Sequence, residues 1–299
     1  MSRRPFAVGL LAMAFLAACS TSDAGGVAET TVGTASADTI GTIPSTTSTS
    51  TTTTTLAPAS TSTSTTVAPT TLAPTTVPVR PADFLGEEVI GTSAGGRDIT
   101  AWHRGTPGGT VILVVGVIHG NENAGLPILE RLGELPVPAG YDLWLLPLLN
   151  PDGYVNDVRG NANGVDLNRN FPHDWTPIAQ PGDWQWSGTG PASEPETQAY
   201  IAFTERIQPA LTLWYHQDLN RVSPSSGRDG PLRQRYAELT GLPYETVSGV
   251  GSVYTGVAAT WTRRSLPDAM SFIVELGPTL PADQVDVHAN AVLAIAQMV

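Results

Sequence analysis

Thr110-Val111-Ile112-Leu113-Val114-Val115-Gly116-Val117-Ile118 is a nearly unbroken apolar run rich in Val and Ile, followed at once by His119-Gly120-Asn121-Glu122. Apolar residues at consecutive positions read as a strand covered on both faces. Upstream, Glu88–Ile90 and Asp98–Trp102 flank a Ser93-Ala94-Gly95-Gly96 turn and read as a hairpin. Downstream, the pattern predicts a helix over Asn123–Leu132 and a second buried strand over Leu143–Leu149. A helix to about Ile207 follows, with Ser193 and Glu196 as its capping box. Then come a third core strand at Leu211–Tyr215, helices at Leu232–Leu239 and Val257–Arg264, a fourth core strand at Ser271–Leu276, and a closing amphipathic helix at Gln284–Met298. Strands that alternate with helices argue for an α/β fold with the sheet covered on both faces and ligands beyond the strand ends.

The first eighty residues have a different character. Arg3 and Arg4 precede an apolar run from Phe6 to Ala18, the charged and hydrophobic regions of a secretory signal (1–19) that is too short to span a bilayer. It ends in Leu16-Ala17-Ala18-Cys19, which resembles a bacterial lipobox, and Cys19 is the only cysteine of the chain. The resemblance implies lipid attachment at Cys19, with plain secretion as the alternative. Residues 20–80 are dominated by Thr, Ser, Ala and Pro without an aromatic residue, a composition that cannot bury enough surface to fold. They read as a tether with a coil-like reach of roughly 45 Å. Residues 81–299 are left as one folded domain, large enough to need no disulfides. The expected location is the cell surface, with the lipid as the only membrane contact.

Charge narrows the chemistry. Residues 1–80 hold three arginines and three acids, so 12 of the 15 cationic and 24 of the 27 acidic residues lie beyond them. An acidic domain without a basic stripe lacks the footprint of a nucleic-acid binder. The chain contains no lysine, which excludes a Schiff-base or P-loop lysine. Gly91-Thr92-Ser93-Ala94-Gly95 fits a serine-hydrolase elbow, but its flanks read strand-turn-strand instead of the strand-to-helix turn that motif requires.

His119 and Glu122 follow the first core strand directly, and His216 ends the third. Two imidazoles and a carboxylate, with a fourth position left to water, are the ligand set of a catalytic zinc site. Gly120 between them suits a close backbone approach to a ligand.

His119-Gly120-Asn121-Glu122, Asn150-Pro151-Asp152-Gly153, Gly164-Val165-Asp166-Leu167-Asn168-Arg169-Asn170-Phe171, His216 and Phe272-Ile273-Val274-Glu275-Leu276 resemble, in this order, the zinc carboxypeptidase family. The likeness extends from about Gly91 to Pro278 and is nearest to the compact bacterial murein peptide amidase A type. It implies a mixed, mostly parallel central sheet with helices on both faces, and one zinc held by His119, Glu122 and His216. Asp166 would orient His119. Glu275 would take a proton from the zinc-bound water and return it to the leaving amine. Arg159 would polarise the scissile carbonyl, the alternative being a loop arginine paired with Asp157. Asn168 and Arg169 would bind the substrate's terminal carboxylate, and Tyr254, beside Gly249-Val250-Gly251-Ser252, would cover it. The specificity pocket would draw on Ala258–Arg264, with Arg263 and Arg264 as candidates for an acidic or diamino-acid side chain, or else as solvated residues.

The function so implied is hydrolysis of a peptide, with a murein stem peptide as the leading substrate because an exported, tethered enzyme meets murein first. Two alternatives stand beside it. One is a metal-dependent N-acyl amino acid amidohydrolase, which shares the ligand logic. The other is a non-catalytic module that binds cell-wall peptides. His103, His173 and His288 have no such constellation around them and read as structural or exposed.

Overall fold

The computed structural model describes residues 81–246 and 254–299. The signal-like run ending in Cys19, the Thr/Ser/Pro tether and the stretch Gly249–Ser252 lie outside the described residues. Strands β1 (Phe84–Thr92) and β2 (Asp98–Gly105) form an antiparallel hairpin. Ser93 lies in the turn between them, its hydroxyl accepting from the Arg97 N–H at 3.0 Å, so the elbow-like motif is a hairpin turn. β2 pairs antiparallel with β4 (Tyr141–Leu148), which pairs in parallel with β3 (Thr110–Val117). β5 (Leu211–Gln217) and β6 (Met270–Leu276) extend the parallel part, in the order β1-β2-β4-β3-β5-β6. The sheet is mixed, with its four central and far strands parallel.

Alternation along β3 divides the core. Ile112 and Val114 pack with helices α1 (Leu126–Leu132), α4 (Gly230–Thr240) and α6 (Ala282–Ala296). Leu113 and Val115 pack on the other face with α3 (Pro195–Ile207) and α5 (Ala258–Ser265). That second layer is aromatic: Phe171 meets Tyr200 edge-on at 5.5 Å, and Tyr200 lies 4.8 Å from Trp214. Phe171 thereby anchors the end of the loop that carries Asp166 to Arg169. Because β3, β5 and β6 run in parallel, their carboxyl ends share one edge of the sheet, where a ligand is expected.

Two local expectations fail, and one element was not foreseen. The helix expected from Asn123 starts at Leu126, because 123–125 form a turn in which Asn123 accepts from the Leu126 N–H and Ala124 donates to Gln217. The Ser193/Glu196 capping box does not form: Glu194 is the N-cap of α3 and makes no side-chain cap bond. The Glu196 carboxylate is taken instead by the Ala94 N–H and the Asn161 amide, both at 2.9 Å, while the Ser193 hydroxyl donates to Glu194. A short helix α2 (Pro151–Asn156) was not expected, although Asn150 capping Gly153 N–H at 2.8 Å and Pro151 in the first turn are ordinary start signals.

Candidate metal centre

His119 lies just past β3, and β5 ends with His216 and Gln217, so both imidazoles emerge at the same sheet edge. Glu122 reaches this edge through the turn after β3, its backbone N–H bonded to the His119 carbonyl at 3.0 Å. One donor atom from each of the three lies within 4.8 Å of the other two. All three are buried or nearly so. Gly120 permits this turn for a reason other than ligand approach: a Cβ there would sit 1.8 Å from the Gly153 carbonyl carbon.

The protons on these groups are placed so that a cation fits between them. The Asp166 Oδ1 atom lies 2.9 Å from His119 Nε2, and an ionised carboxylate only accepts, so Nε2 carries the proton. His119 Nδ1 is then a lone pair 2.9 Å from Glu122 Oε1, without hydrogen-bond geometry. On the far side, His216 Nδ1 lies 2.9 Å from Glu122 Oε2. Acceptors that converge in a buried space repel unless a cation or an added proton joins them. Burial opposes a charged His119, yet the Asp166 and Glu122 carboxylates outweigh it and raise its pKa. Burial likewise opposes an ionised Glu122, but His119 and His216 hold its carboxyl far below the ordinary range. Two imidazoles and a carboxylate fit Zn²⁺, with Asp166 supplying the outer hydrogen bond that such a histidine normally has.

Around this centre opens a cleft of about 670 Å³ that also contains Arg159, Asn168, Arg169, Tyr254 and Glu275. Arg159 pairs with Asp166 through Nε and an Nη at 3.0 and 2.9 Å, and its other Nη donates to Glu122 at 2.7 Å. It does not pair with Asp157, which caps α2 in the left-handed conformation at φ 52°. Asn168 and Arg169 lie on a 3-10 turn, Leu167–Arg169, whose N-cap Asp166 accepts from the Asn168 N–H at 3.0 Å. The Asn168 carbonyl oxygen atom of the side chain accepts from Ala258 N–H at 2.9 Å, which ties this turn to α5. Arg169 is only 4 % exposed, and its Nε has no partner among the described residues. The exposed Tyr254 ring lies 5.4 Å from the Arg169 guanidinium carbon.

Glu275 stands opposite His216 in the β5/β6 register, and its Oε2 is buried without a hydrogen-bond partner among the described residues. Burial raises its pKa, with nearby His216 opposing and Glu122 reinforcing the shift.

Several cleft residues escaped the sequence reading. Trp184 lies under Arg159, ring centre 5.1 Å from the guanidinium carbon. Gln217 ties the end of β5 to the turn after β3: its N–H donates to Glu122 at 3.2 Å and its side-chain oxygen accepts from Ala124 at 2.8 Å. Its position beside His216 was the available signal. Arg263 and Arg264 line a separate cleft with Arg228 and Asp268. Arg263 donates to the Ser271 carbonyl at 2.7 Å, because α5 turns Ala258, Ala259 and Trp261 inward. Of the remaining histidines, His288 is buried with Nδ1 2.7 Å from the Tyr236 hydroxyl, His103 stacks on Trp144 at 3.8 Å, and His173 pairs with Asp174.

Residues 138–276 match the family described as zinc carboxypeptidase. Murein peptide amidase A of Escherichia coli K12 is 34 % identical over 155 residues, covering 47 % of this chain and 64 % of that protein, so the aligned part spans somewhat less than two thirds of that relative. The protein of the same name from Vibrio campbellii is 30 % identical over 203 residues, covering 62 % and 77 % of the two chains. Among solved structures, the murein-tripeptide amidase of Escherichia coli O157 aligns with TM-score 0.56 at 27 % identity over 72 % of this chain and 91 % of that one. Carboxypeptidase A of Helicoverpa armigera shares the fold at TM-score 0.63 and 18 % identity, over 72 % and 68 %. With the zinc-type ligand set assembled at the sheet edge and these relatives alongside it, the chain belongs to the zinc carboxypeptidase family.

Proposed function

We propose that the protein is an exported peptidase that hydrolyses the amide bond preceding a residue with a free carboxylate, and that its substrate is a cell-wall stem peptide. The observation behind this reading is that the buried Oε2 of Glu275, without a hydrogen-bond partner among the described residues, lies in the same cleft as the His119, Glu122 and His216 cluster. Zinc, when bound there, supplies Lewis-acid polarisation and a more acidic water. Glu275 accepts a proton from the attacking water as oxygen adds to the carbonyl carbon. It then gives that proton to the amine as the C–N bond breaks, leaving a carboxylate on one product and an amine on the other.

Arg159 supplies positive charge toward the developing oxyanion, and its two hydrogen bonds to Asp166 fix the plane of the guanidinium. Arg169 is shielded from water, which strengthens a charge-assisted bond to the terminal carboxylate, and Asn168 stands beside it. Tyr254 covers the same guanidinium and limits water entry. The stem-peptide substrate is supported by the names of the amidase relatives, and export by the signal-like run ending at Cys19.

The test uses zinc-loaded full-length protein on a defined murein tripeptide and on N-acyl amino acids. Release of the tripeptide's terminal diaminopimelate is expected, and Glu275→Gln lowers kcat by about 10²–10⁴-fold while zinc stays bound. Deacylation of N-acyl amino acids alone would favour an amidohydrolase, and peptide binding without turnover would favour a binding module.

A further inference from the structure

Among the cationic residues of the cleft, Arg221 has no part in the chemistry above. Arg221 and Glu275 exchange backbone hydrogen bonds in both directions, Arg221 N–H to the Glu275 carbonyl at 2.8 Å and Glu275 N–H to the Arg221 carbonyl at 3.0 Å. They form an antiparallel bridge. Directly opposed residues of such a pair send their side chains to the same face. The Arg221 side chain therefore leaves the backbone on the Glu275 side, and it lines the cleft with Leu219, Ile273 and Pro278.

Its guanidinium is held in place without being neutralised by a buried charge. Nε donates to the Leu219 carbonyl at 3.0 Å and an Nη to the Thr246 carbonyl at 3.4 Å, both uncharged acceptors. The charged partner is Glu245 at 3.3 Å, whose side chain is 56 % exposed against 25 % for Arg221. A pair that exposed is weak and easily exchanged for another carboxylate. Arg159, by contrast, is already taken by Glu122 and Asp166. An apolar side chain pushed against the Arg221 guanidinium would remove water from it and return nothing, whereas a carboxylate would replace that water with a charge-assisted bond.

We infer that Arg221 determines specificity by binding a carboxylate at the end of the side chain of the departing residue, next to Glu275. This rests on the proposed peptidase reading, since it assigns a subsite within that cleft. Two residue types supply such a group: a plain acidic residue, and a diamino diacid such as diaminopimelate, whose side chain ends in an ammonium as well. Glu245, beside the guanidinium, is placed to meet that ammonium.

The experiment compares zinc-loaded full-length wild type with Arg221→Gln, Arg221→Lys and Glu245→Gln on N-acyl dipeptides ending in leucine, glutamate or diaminopimelate. It reads kcat/KM ratios and, by calorimetry, peptide affinities. Arg221→Gln lowers the glutamate-to-leucine ratio by about 10- to 100-fold. Arg221→Lys restores much of it, which a merely structural guanidinium would not do, and Glu245→Gln raises it by freeing the guanidinium. Equal use of the two diacids means that only the carboxylate is read. A preference for diaminopimelate that disappears in Glu245→Gln means that the ammonium is read as well, and either result supports the inference. A ratio in Arg221→Gln within about twofold of wild type overturns it. If the wild type cleaves none of the peptides, the peptidase reading fails, and calorimetry still decides the role of Arg221: lost preference for the glutamate peptide supports it, and unaltered preference overturns it.

Discussion

Asp166 Oδ1 lies 2.9 Å from His119 Nε2, while its other oxygen receives Nε and an Nη of Arg159. This one buried carboxylate fixes both the tautomer of His119, a candidate metal ligand, and the plane of the guanidinium beside it. Burial opposes its charge, but His119 and then Arg159 and Arg169 hold its carboxyl well below the ordinary range. Replacing Asp166 by Asn keeps the shape and removes the charge. Zinc affinity of Asp166→Asn, measured by competition with a chromogenic chelator, should fall by about 10- to 100-fold. Unaltered affinity would deny Asp166 this orienting role.

The raised pKa of Glu275 makes its ionised form a cost to the zinc-free fold. For a carboxyl whose folded pKa exceeds its unfolded value, the favourable contribution is complete below the unfolded value near 4.5 and is lost as pH rises through the folded one. Zinc-free Glu275→Gln should therefore melt above the wild type at neutral pH. The gap should close as pH falls below 4.5. Thermal melts of both proteins across this range check the sign, and a gap independent of pH would contradict it.

His288 titrates in the opposite sense. Burial lowers its pKa from 6.5 to about 4, with Nδ1 against the Tyr236 hydroxyl in the α4/α6 layer. A neutral imidazole buried in this way contributes stability above 6.5 that is lost as pH falls toward 4. The shift corresponds to about 3 kcal/mol over that window. His288→Gln should show a shallower loss of unfolding free energy between these pH values in denaturant titrations.

Gly120 is a packing requirement. A methyl group there would meet Gly153 and Tyr154 backbone atoms closer than 2.4 Å, all of them unable to move aside as a side chain would. Gly120→Ala should cost at least about 1–3 kcal/mol and weaken zinc binding, because the turn between His119 and Glu122 must shift. Chemical denaturation and metal titration of the variant read the two effects separately.

The buried strands were legible because burial on both faces writes consecutive Val, Ile and Leu directly into the chain, as in Thr110–Val117 and Leu211–Tyr215. His119, Glu122 and His216 stood out because each follows or ends such a strand. What stayed hidden depends on pairing between distant segments. Arg221 reads as an ordinary loop arginine until its backbone bridge to Glu275 is seen. The Ser193/Glu196 pattern favoured a local cap, but Ala94 and Asn161, remote in sequence, had already engaged the Glu196 carboxylate. Helical periodicity alone did not say which face of α5 turns inward, and so left Arg263 open between the specificity pocket and solvent, whereas it bonds the Ser271 carbonyl and lines a separate cleft.

Everything proposed for this cleft requires zinc between His119, Glu122 and His216, and anomalous scattering at the zinc edge from a crystal of the zinc-loaded protein locates it. A single strong peak is expected about 2.0–2.1 Å from the Nδ1 atoms of both histidines and within bonding distance of the Glu122 carboxylate. Zinc found at another site, with these three side chains still paired only with one another, would rule out this metal centre.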